Sequence, residues 1–193
     1  MKMLSAIVAG ILALTAPGLV ARAAGTDFSG AVPPELIKDA DAAKDAFEHS
    51  RYADAEKIYE RMLAAAPNNV YVLGNLGVVY FRNHEYKPAE AVLKEATAIA
   101  PKDGFAYVIL GIVYDKEKRF GEAIKALDRA TAIAPKSSYA FMNLAFVYVS
   151  QEPPDKEAAR KCYNRAIELG ADPEPKLAGL LGVDIPWVGA PPR

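Results

Sequence analysis

Residues 96–102 read ATAIAPK, and residues 130–136 read ATAIAPK again, 34 positions further along the chain. A third proline, Pro67, stands 34 residues before Pro101, and Pro135 continues the same step. Seven consecutive identities at a fixed spacing indicate an internal repeat. A period of this size is typical of small structural units that bury their apolar faces only by stacking on one another.

The residues around each proline predict that one helix ends there and that another begins. Proline lacks an amide donor and disfavours helical geometry in the residue before it, so a helix stops at each of the three prolines. A good N-cap side chain follows each proline by two positions: Asn69, Asp103 and Ser137. After the first cap, three and four residues separate Leu73, Leu76 and Tyr80, which places them on one helix face.

Apolar and small residues recur at equivalent positions of the two central repeats. After Pro67 these residues are Leu73, Leu76, Gly77, Tyr80, Tyr86, Ala89, Leu93 and Ala96. After Pro101 they are Tyr107, Leu110, Gly111, Tyr114, Phe120, Ala123, Leu127 and Ala130. The pattern resembles the tetratricopeptide repeat motif. The resemblance implies an all-α fold, a right-handed superhelical stack of helix-turn-helix units.

The resemblance covers residues 35–171 and divides them into about four units: 35–68, 69–102, 103–136 and 137–171. The two central units match the motif well, whereas the first and the last match it only in part. The last unit also carries a two-residue insertion near Pro153 and Pro154. Atypical end units are expected in a stack, because one face of each has no neighbouring repeat.

The segments that flank the repeats have their own patterns. Residues 24–34 are rich in glycine and proline and are expected to form a flexible leader. Within residues 172–193, the stretch 174–182 predicts a short capping helix with leucines at positions 177, 180 and 181, followed by an extended proline-rich tail. The tail holds Trp187, which would either cover the end of the stack or enter a groove of this chain or a neighbour.

The first 23 residues have the three-part pattern of a secretory signal peptide. Lys2 is followed by an uncharged apolar run, and small residues stand at positions 21 and 23. We expect cleavage after Ala23 and a periplasmic or secreted protein that has no further membrane segment. The alternative is an uncleaved N-terminal anchor, although Pro17 and Gly18 interrupt the run before it reaches about 20 residues.

Composition and motifs argue against several classes of function. The net charge of −1 gives no basic footprint for nucleic acid, and a single cysteine, Cys162, cannot form an intrachain disulfide. No phosphate-binding loop or metal-binding motif occurs in the sequence, so we expect no cofactor, no metal and no catalysis. Glu90 and Lys94, four residues apart, are typical of a solvated helix face.

The resemblance implies that the first helix of each unit lines a concave groove. In this chain the side chains at those places are largely apolar: Tyr71, Asn75, Val78, Phe81, Phe105, Val108, Ile112, Asp115, Tyr139, Met142, Asn143, Phe146 and Val149. Contiguous apolar surface usually marks an interaction site, so we predict that an amphipathic helix or an extended apolar segment occupies the groove. The alternative is that a narrow superhelix or a dimer buries these side chains.

Two further expectations come from relatives of this family. In some, a row of asparagines hydrogen-bonds the backbone of a bound peptide, and Asn75 and Asn143 stand at the matching places, with Ile109 between them. In others, lysine and asparagine clamp an acidic C-terminus. Those places hold Gly74, Val78, Val108 and Ile112 here, so recognition of an acidic C-terminus is not predicted.

Taken together, these patterns predict a non-catalytic scaffold or adaptor of the bacterial cell envelope that binds a protein or peptide partner. The first alternative is a periplasmic chaperone or accessory factor for a secretion or surface-assembly substrate. Self-association is also compatible with the apolar groove, as is a structural protein whose own tail fills it.

Overall fold

The computed structural model describes residues 32–184 of the chain. The predictions for the signal segment, for most of the leader and for Trp187 therefore lie outside the described residues. A single turn of 3-10 helix, Pro34–Leu36, comes first. Nine α-helices follow within the described residues: α1 Ile37–Glu48, α2 Tyr52–Ala65, α3 Val70–Arg82, α4 Tyr86–Ile99, α5 Gly104–Lys116, α6 Phe120–Ile133, α7 Ser138–Ser150, α8 Lys156–Glu168 and α9 Pro175–Leu181.

The predicted N-caps start α3, α5 and α7. The side chain of Asn69 accepts a hydrogen bond from the amide of Val72 at 3.1 Å. Asp103 and Ser137 accept equivalent bonds, from Phe105 at 2.9 Å and from Ala140 at 3.2 Å. Each cap satisfies an amide that has no partner inside its own helix, which fixes the first residue of the helix.

The helices form four antiparallel hairpins stacked in chain order. The pairs α1 and α2, α3 and α4, α5 and α6, and α7 and α8 pack together, and each second helix also packs on the first helix of the next pair. In addition, α5 contacts both α3 and α7. The predicted all-α repeat stack is thereby confirmed.

Two glycines allow the helices of the central hairpins to approach closely. A Cβ atom on Gly77 would lie 2.6 Å from Cγ of Leu93, and one on Gly111 would lie 2.6 Å from Cγ of Leu127. Carbon atoms at van der Waals contact are about 3.5–4.0 Å apart, so neither position has room for a side chain. These contacts explain why the repeat places a small residue at this step.

The predicted capping helix is present, and it extends the core beyond the fourth hairpin. A large buried cluster runs from α1 to α7, and a smaller one joins α7, α8 and α9. Leu177 and Leu181 of α9 are each 1% exposed within the smaller cluster. The prediction is wrong for Leu180, which is 47% exposed, because the short helix buries only the face that carries Leu177, Ala178 and Leu181.

Candidate protein-binding surface

All thirteen residues predicted to line the groove lie on the first helices of the three hairpins from α3 to α8. Because α5 contacts both α3 and α7, these helices form one row across the stack. We call this set of thirteen residues the groove face. Its members occupy α3 (Tyr71, Asn75, Val78 and Phe81), α5 (Phe105, Val108, Ile112 and Asp115) and α7 (Tyr139, Met142, Asn143, Phe146 and Val149).

Burial differs along the groove face. Seven of its residues are buried: Val78, Phe81, Phe105, Val108, Ile112, Tyr139 and Asn143. The other six are half-buried: Tyr71, Asn75, Asp115, Met142, Phe146 and Val149. On α5, Val108 and Ile112 are only 1% and 4% exposed. The apolar side chains that reach the surface are therefore concentrated on α7.

The two asparagines of the groove face are turned onto their own helices. The Nδ2 group of Asn75 donates to the carbonyl of Tyr71 at 2.8 Å, and that of Asn143 donates to the carbonyl of Tyr139 at 2.8 Å. Between them, Ile109 is fully buried. Each side-chain amide therefore uses one N–H donor within its own helix, on the carbonyl four residues earlier. This bond is known for polar side chains within helices.

Asp115 is the one acidic member of the groove face. It stands 34 residues after Phe81 and 34 before Val149, where the neighbouring units carry apolar side chains. Its Oδ1 atom is buried and has no hydrogen-bond partner among the described residues. Burial raises the pKa of this carboxyl above its usual range, and the nearby Lys116 opposes that shift. A buried acceptor without a donor is costly, so this carboxyl destabilises the fold locally.

The accessible apolar patch on α7 adjoins the C-terminal cap. Met142, Phe146 and Val149 pack against the smaller core cluster that α7 forms with α8 and α9. Val183, just beyond α9, packs against the same cluster. The apolar end of the groove face is therefore next to the point where the described chain ends.

An ion-pair network that the sequence pattern did not predict ties the second hairpin to the third. Glu90 on α4 is only 8% exposed, so the prediction of a solvated face is wrong at this residue, although its pair with Lys94 is present at 2.7 Å. The main partner is Arg119 at the start of α6, 2.7 Å away. Hydrogen bonding to Arg119 holds the pKa of Glu90 well below its usual range.

Two more carboxylates complete the Arg119 network. Its guanidinium donates to Glu117 at 2.7 Å and to Glu122 at 2.6 Å. The hydroxyl of Tyr114 adds a hydrogen bond to Glu90 at 3.3 Å. Each carboxylate is committed to a cation, which suits a structural brace between repeats and not a proton donor or acceptor in catalysis.

The described residues offer little material for metal or thiol chemistry. Within residues 32–184, no group of three or more histidine, cysteine, aspartate or glutamate side chains could hold a metal ion. Burial raises the pKa of the Cys162 thiol to about 11, which keeps it protonated and unreactive at neutral pH. In the same part of the chain, no helix has the length and apolar character needed to cross a bilayer.

Comparisons with known sequences agree with the repeat pattern. Two family models, both described as tetratricopeptide repeat, match residues 46–110 and residues 106–137. None of the curated proteins compared with the chain matches it.

Solved structures with the same arrangement of helices include bacterial and eukaryotic proteins. MamA from Desulfovibrio magneticus RS-1 has a TM-score of 0.60 at 26% identity, covering 66% of this chain and 71% of that one. Pseudomonas aeruginosa pilF has a TM-score of 0.64 at 19% identity, covering 75% of this chain and 68% of that one. The first repeat domain of RPAP3, bound to the HSP90 peptide SRMEEVD, has a TM-score of 0.56 at 22% identity and covers 58% and 89%.

At these identities, pilF and RPAP3 show a shared fold and nothing finer. The 34-residue step, the stacked hairpins and the two family models nevertheless converge on one conclusion. Residues 46–137 match tetratricopeptide repeats, and the described hairpins stack as such repeats do.

Proposed function

We propose that this protein is a non-catalytic scaffold of the bacterial cell envelope that binds an apolar segment of a partner protein on its groove face. The observation that carries the proposal is the half-exposed patch of Met142, Phe146 and Val149 on α7. Large apolar side chains that reach the surface together usually belong to an interaction site. The repeat fold supports this role, since a stack of hairpins offers an extended surface and few enclosed pockets.

The chemistry of the groove face favours an apolar partner that carries a positive charge. The RPAP3 domain is solved with a peptide that ends in acidic residues. Here Val78, Val108 and Ile112 are apolar and buried, and Asp115 would repel a second carboxylate. A lysine or an arginine of the partner would instead be attracted by the negative charge of Asp115, which is half-buried.

The envelope location rests on the N-terminal sequence. Lys2, the apolar run and the small residues at 21 and 23 support export, followed by cleavage after Ala23. Fractionation of the native host, combined with N-terminal sequencing of the purified protein, tests this part of the proposal. A cytosolic protein that begins at residue 1 would contradict it.

Site-specific photo-crosslinking in the native host tests the binding surface. A photoreactive phenylalanine analogue replaces Phe146 in the groove face. In a matched control it replaces Ile99, which is 42% exposed on the second helix of a hairpin. We expect a crosslinked partner from position 146 and none from position 99, because only the first of these side chains lies on the proposed surface.

The pattern of crosslinked products separates the two candidate functions. One recurrent partner supports a scaffold, whereas many unrelated products support a chaperone that shields apolar segments. Equal products from positions 99 and 146, or a partner obtained only from position 99, would contradict binding of the partner on the groove face.

A further inference from the structure

The structure fixes the point from which the C-terminal segment starts. After α9, Gly182 adopts a left-handed conformation with φ +61°, and the amide of Val183 donates to the carbonyl of Ala178 at 3.0 Å. This is the usual glycine stop of a helix. Arg160 on α8 also donates to the carbonyl of Leu181 at 2.7 Å. The chain therefore leaves the stack from an anchored position.

That position is beside the accessible end of the groove face. Val183 is half-buried and packs against the same small cluster as Met142, Phe146 and Val149. The next residues along the chain consequently begin next to an apolar patch that is only half-covered.

The sequence that follows suits this patch. Residues 185–193 read IPWVGAPPR, with large apolar side chains at the start and a single charged side chain, that of Arg193, at the end. Three prolines restrict the backbone, which lowers the entropy lost when such a segment binds in an extended form.

The segment is long enough to cross from α7 to α5. An extended proline-rich chain advances about 3.1 Å per residue, so nine residues span roughly 28 Å. Packed helices lie about 8–10 Å apart, which puts α5 well within reach of a segment that starts beside α7. A segment that starts beside α7 can therefore lie across both helices.

We propose that residues 185–193 are an intramolecular occupant of the groove face, with Trp187 on the α7 patch. This deepens the proposed function, because a partner that binds the same surface must displace the tail. The tether gives the tail an effective concentration in the millimolar range. A tail bound for nine-tenths of the time would weaken partner binding about tenfold.

Trp187 is the only tryptophan of the chain, so its fluorescence reports directly on the tail. In the purified protein we expect blue-shifted emission and quenching by acrylamide several-fold weaker than in the urea-unfolded chain. Phe146→Glu and, independently, Met142→Glu should restore the quenching of the unfolded chain. Ile99→Glu, an apolar-to-acid change away from the groove face, should leave it unchanged. Far-UV circular dichroism verifies that each variant is folded.

Each other result contradicts the proposal. Trp187 that is fully quenchable in the folded protein would show an undocked tail. Protection that survives both Phe146→Glu and Met142→Glu would place the tail elsewhere, such as over the end of the stack. Protection that disappears on dilution would identify the occupied surface as that of a second copy.

A chain that ends at Asp184 separates this inference from the proposed function. If the tail inference and the proposed function are both correct, the partner still crosslinks from position 146. Its affinity rises by the factor that the docked fraction of the tail sets, about tenfold for a tail docked nine-tenths of the time. An unchanged affinity would contradict tail competition while leaving partner binding in place. Loss of partner crosslinking in both the full chain and the folded truncated chain would contradict the proposed function, whatever Trp187 shows.

Discussion

The hairpin of α3 and α4 and the hairpin of α5 and α6 have the same interior but meet the preceding hairpin differently. Inside each, a glycine faces a leucine at the same close distance: Gly77 over Leu93, and Gly111 over Leu127. At the junctions the equivalent acids are Glu56 and Glu90. Glu56 receives a hydrogen bond from Asn83, whereas Glu90 receives the guanidinium of Arg119.

The charges around the two acids explain how the junctions differ. Glu85 and Arg119 are 34 residues apart, so a negative side chain stands at the first junction where a positive one stands at the second. Burial and the charge of Glu85 raise the pKa of Glu56, whereas Arg119 lowers that of Glu90. The repeat therefore conserves the apolar contacts that build a hairpin and leaves the polar contacts between hairpins free to vary.

The largest expected effect comes from placing a charge on the groove face of the third hairpin. Val108 is 1% exposed, so Val108→Glu buries a carboxylate without a partner and should cost several kcal/mol or unfold the protein. Phe146→Glu, at a half-buried position, should cost much less. Urea unfolding followed by circular dichroism measures both. Similar losses for the two variants would contradict the difference in burial between α5 and α7.

A smaller effect tests whether the two hairpins have the same interior. Gly77→Val and Gly111→Val each force a side chain to within 2.6 Å of a leucine Cγ atom, and each should cost about 1–3 kcal/mol. Gly121→Ala, near the start of α6 where nothing lies within 4 Å, should instead be neutral or stabilise by up to about 1 kcal/mol. Unequal losses for the two valine variants would show that the hairpins are not packed alike.

The interior and the caps were predictable from the sequence because they depend on short spacings. The N-caps follow each proline by two residues, and the glycines recur at the repeat step, so Asn69, Asp103, Gly77 and Gly111 are found where the pattern puts them. Each of these features involves one helix end or one pair of adjacent helices. Local sequence determines such features with little help from the rest of the chain.

The burial of the groove face and of Glu90 was not predictable in this way. Glu90 has Lys94 four residues away, which indicates a solvated pair, but Arg119 lies 29 residues further on and reaches it only after two hairpins have stacked. Similarly, α5 packs between α3 and α7, whereas α7 lies in the last hairpin, beyond which the described chain has only the seven-residue α9, packed on α8. Exposure at Phe146 is therefore a property of the end of the stack and not of the motif.

The junction between the second and third hairpins can be weakened without changing its shape. Glu90→Gln keeps the size and shape of the side chain but removes the charge that Arg119 and Lys94 contact. It should lower the free energy of unfolding by about 1 kcal/mol at pH 7. The folded-state pKa of Glu90 is lowered, so its contribution is complete above the unfolded value of roughly 4.3 and is lost as the pH falls toward the folded value. Urea titrations at pH 7 and pH 3.5 should show the deficit of the variant shrinking at the lower pH, and a constant deficit would contradict the role of the charge.

Neutralising the acid at the first junction should change the free energy of unfolding in the opposite direction and by a smaller amount. Burial, and then the charge of Glu85, raise the folded-state pKa of Glu56. Ionisation of Glu56 therefore destabilises the fold as the pH rises through that pKa. This loss of stability is absent below the pKa that Glu56 has in the unfolded chain. Glu56→Gln should therefore stabilise the protein at pH 7 by a few tenths of a kcal/mol and have no effect near pH 3.5. Glu95→Gln, at an exposed position of α4, serves as the matched control. Glu56 and Glu90 occupy the same position of the repeat. Opposite changes in the free energy of unfolding for Glu56→Gln and Glu90→Gln would therefore show that the partner across the junction decides how this position affects stability. A loss of stability for Glu56→Gln at pH 7 would mean that the Asn83 hydrogen bond outweighs burial and the charge of Glu85.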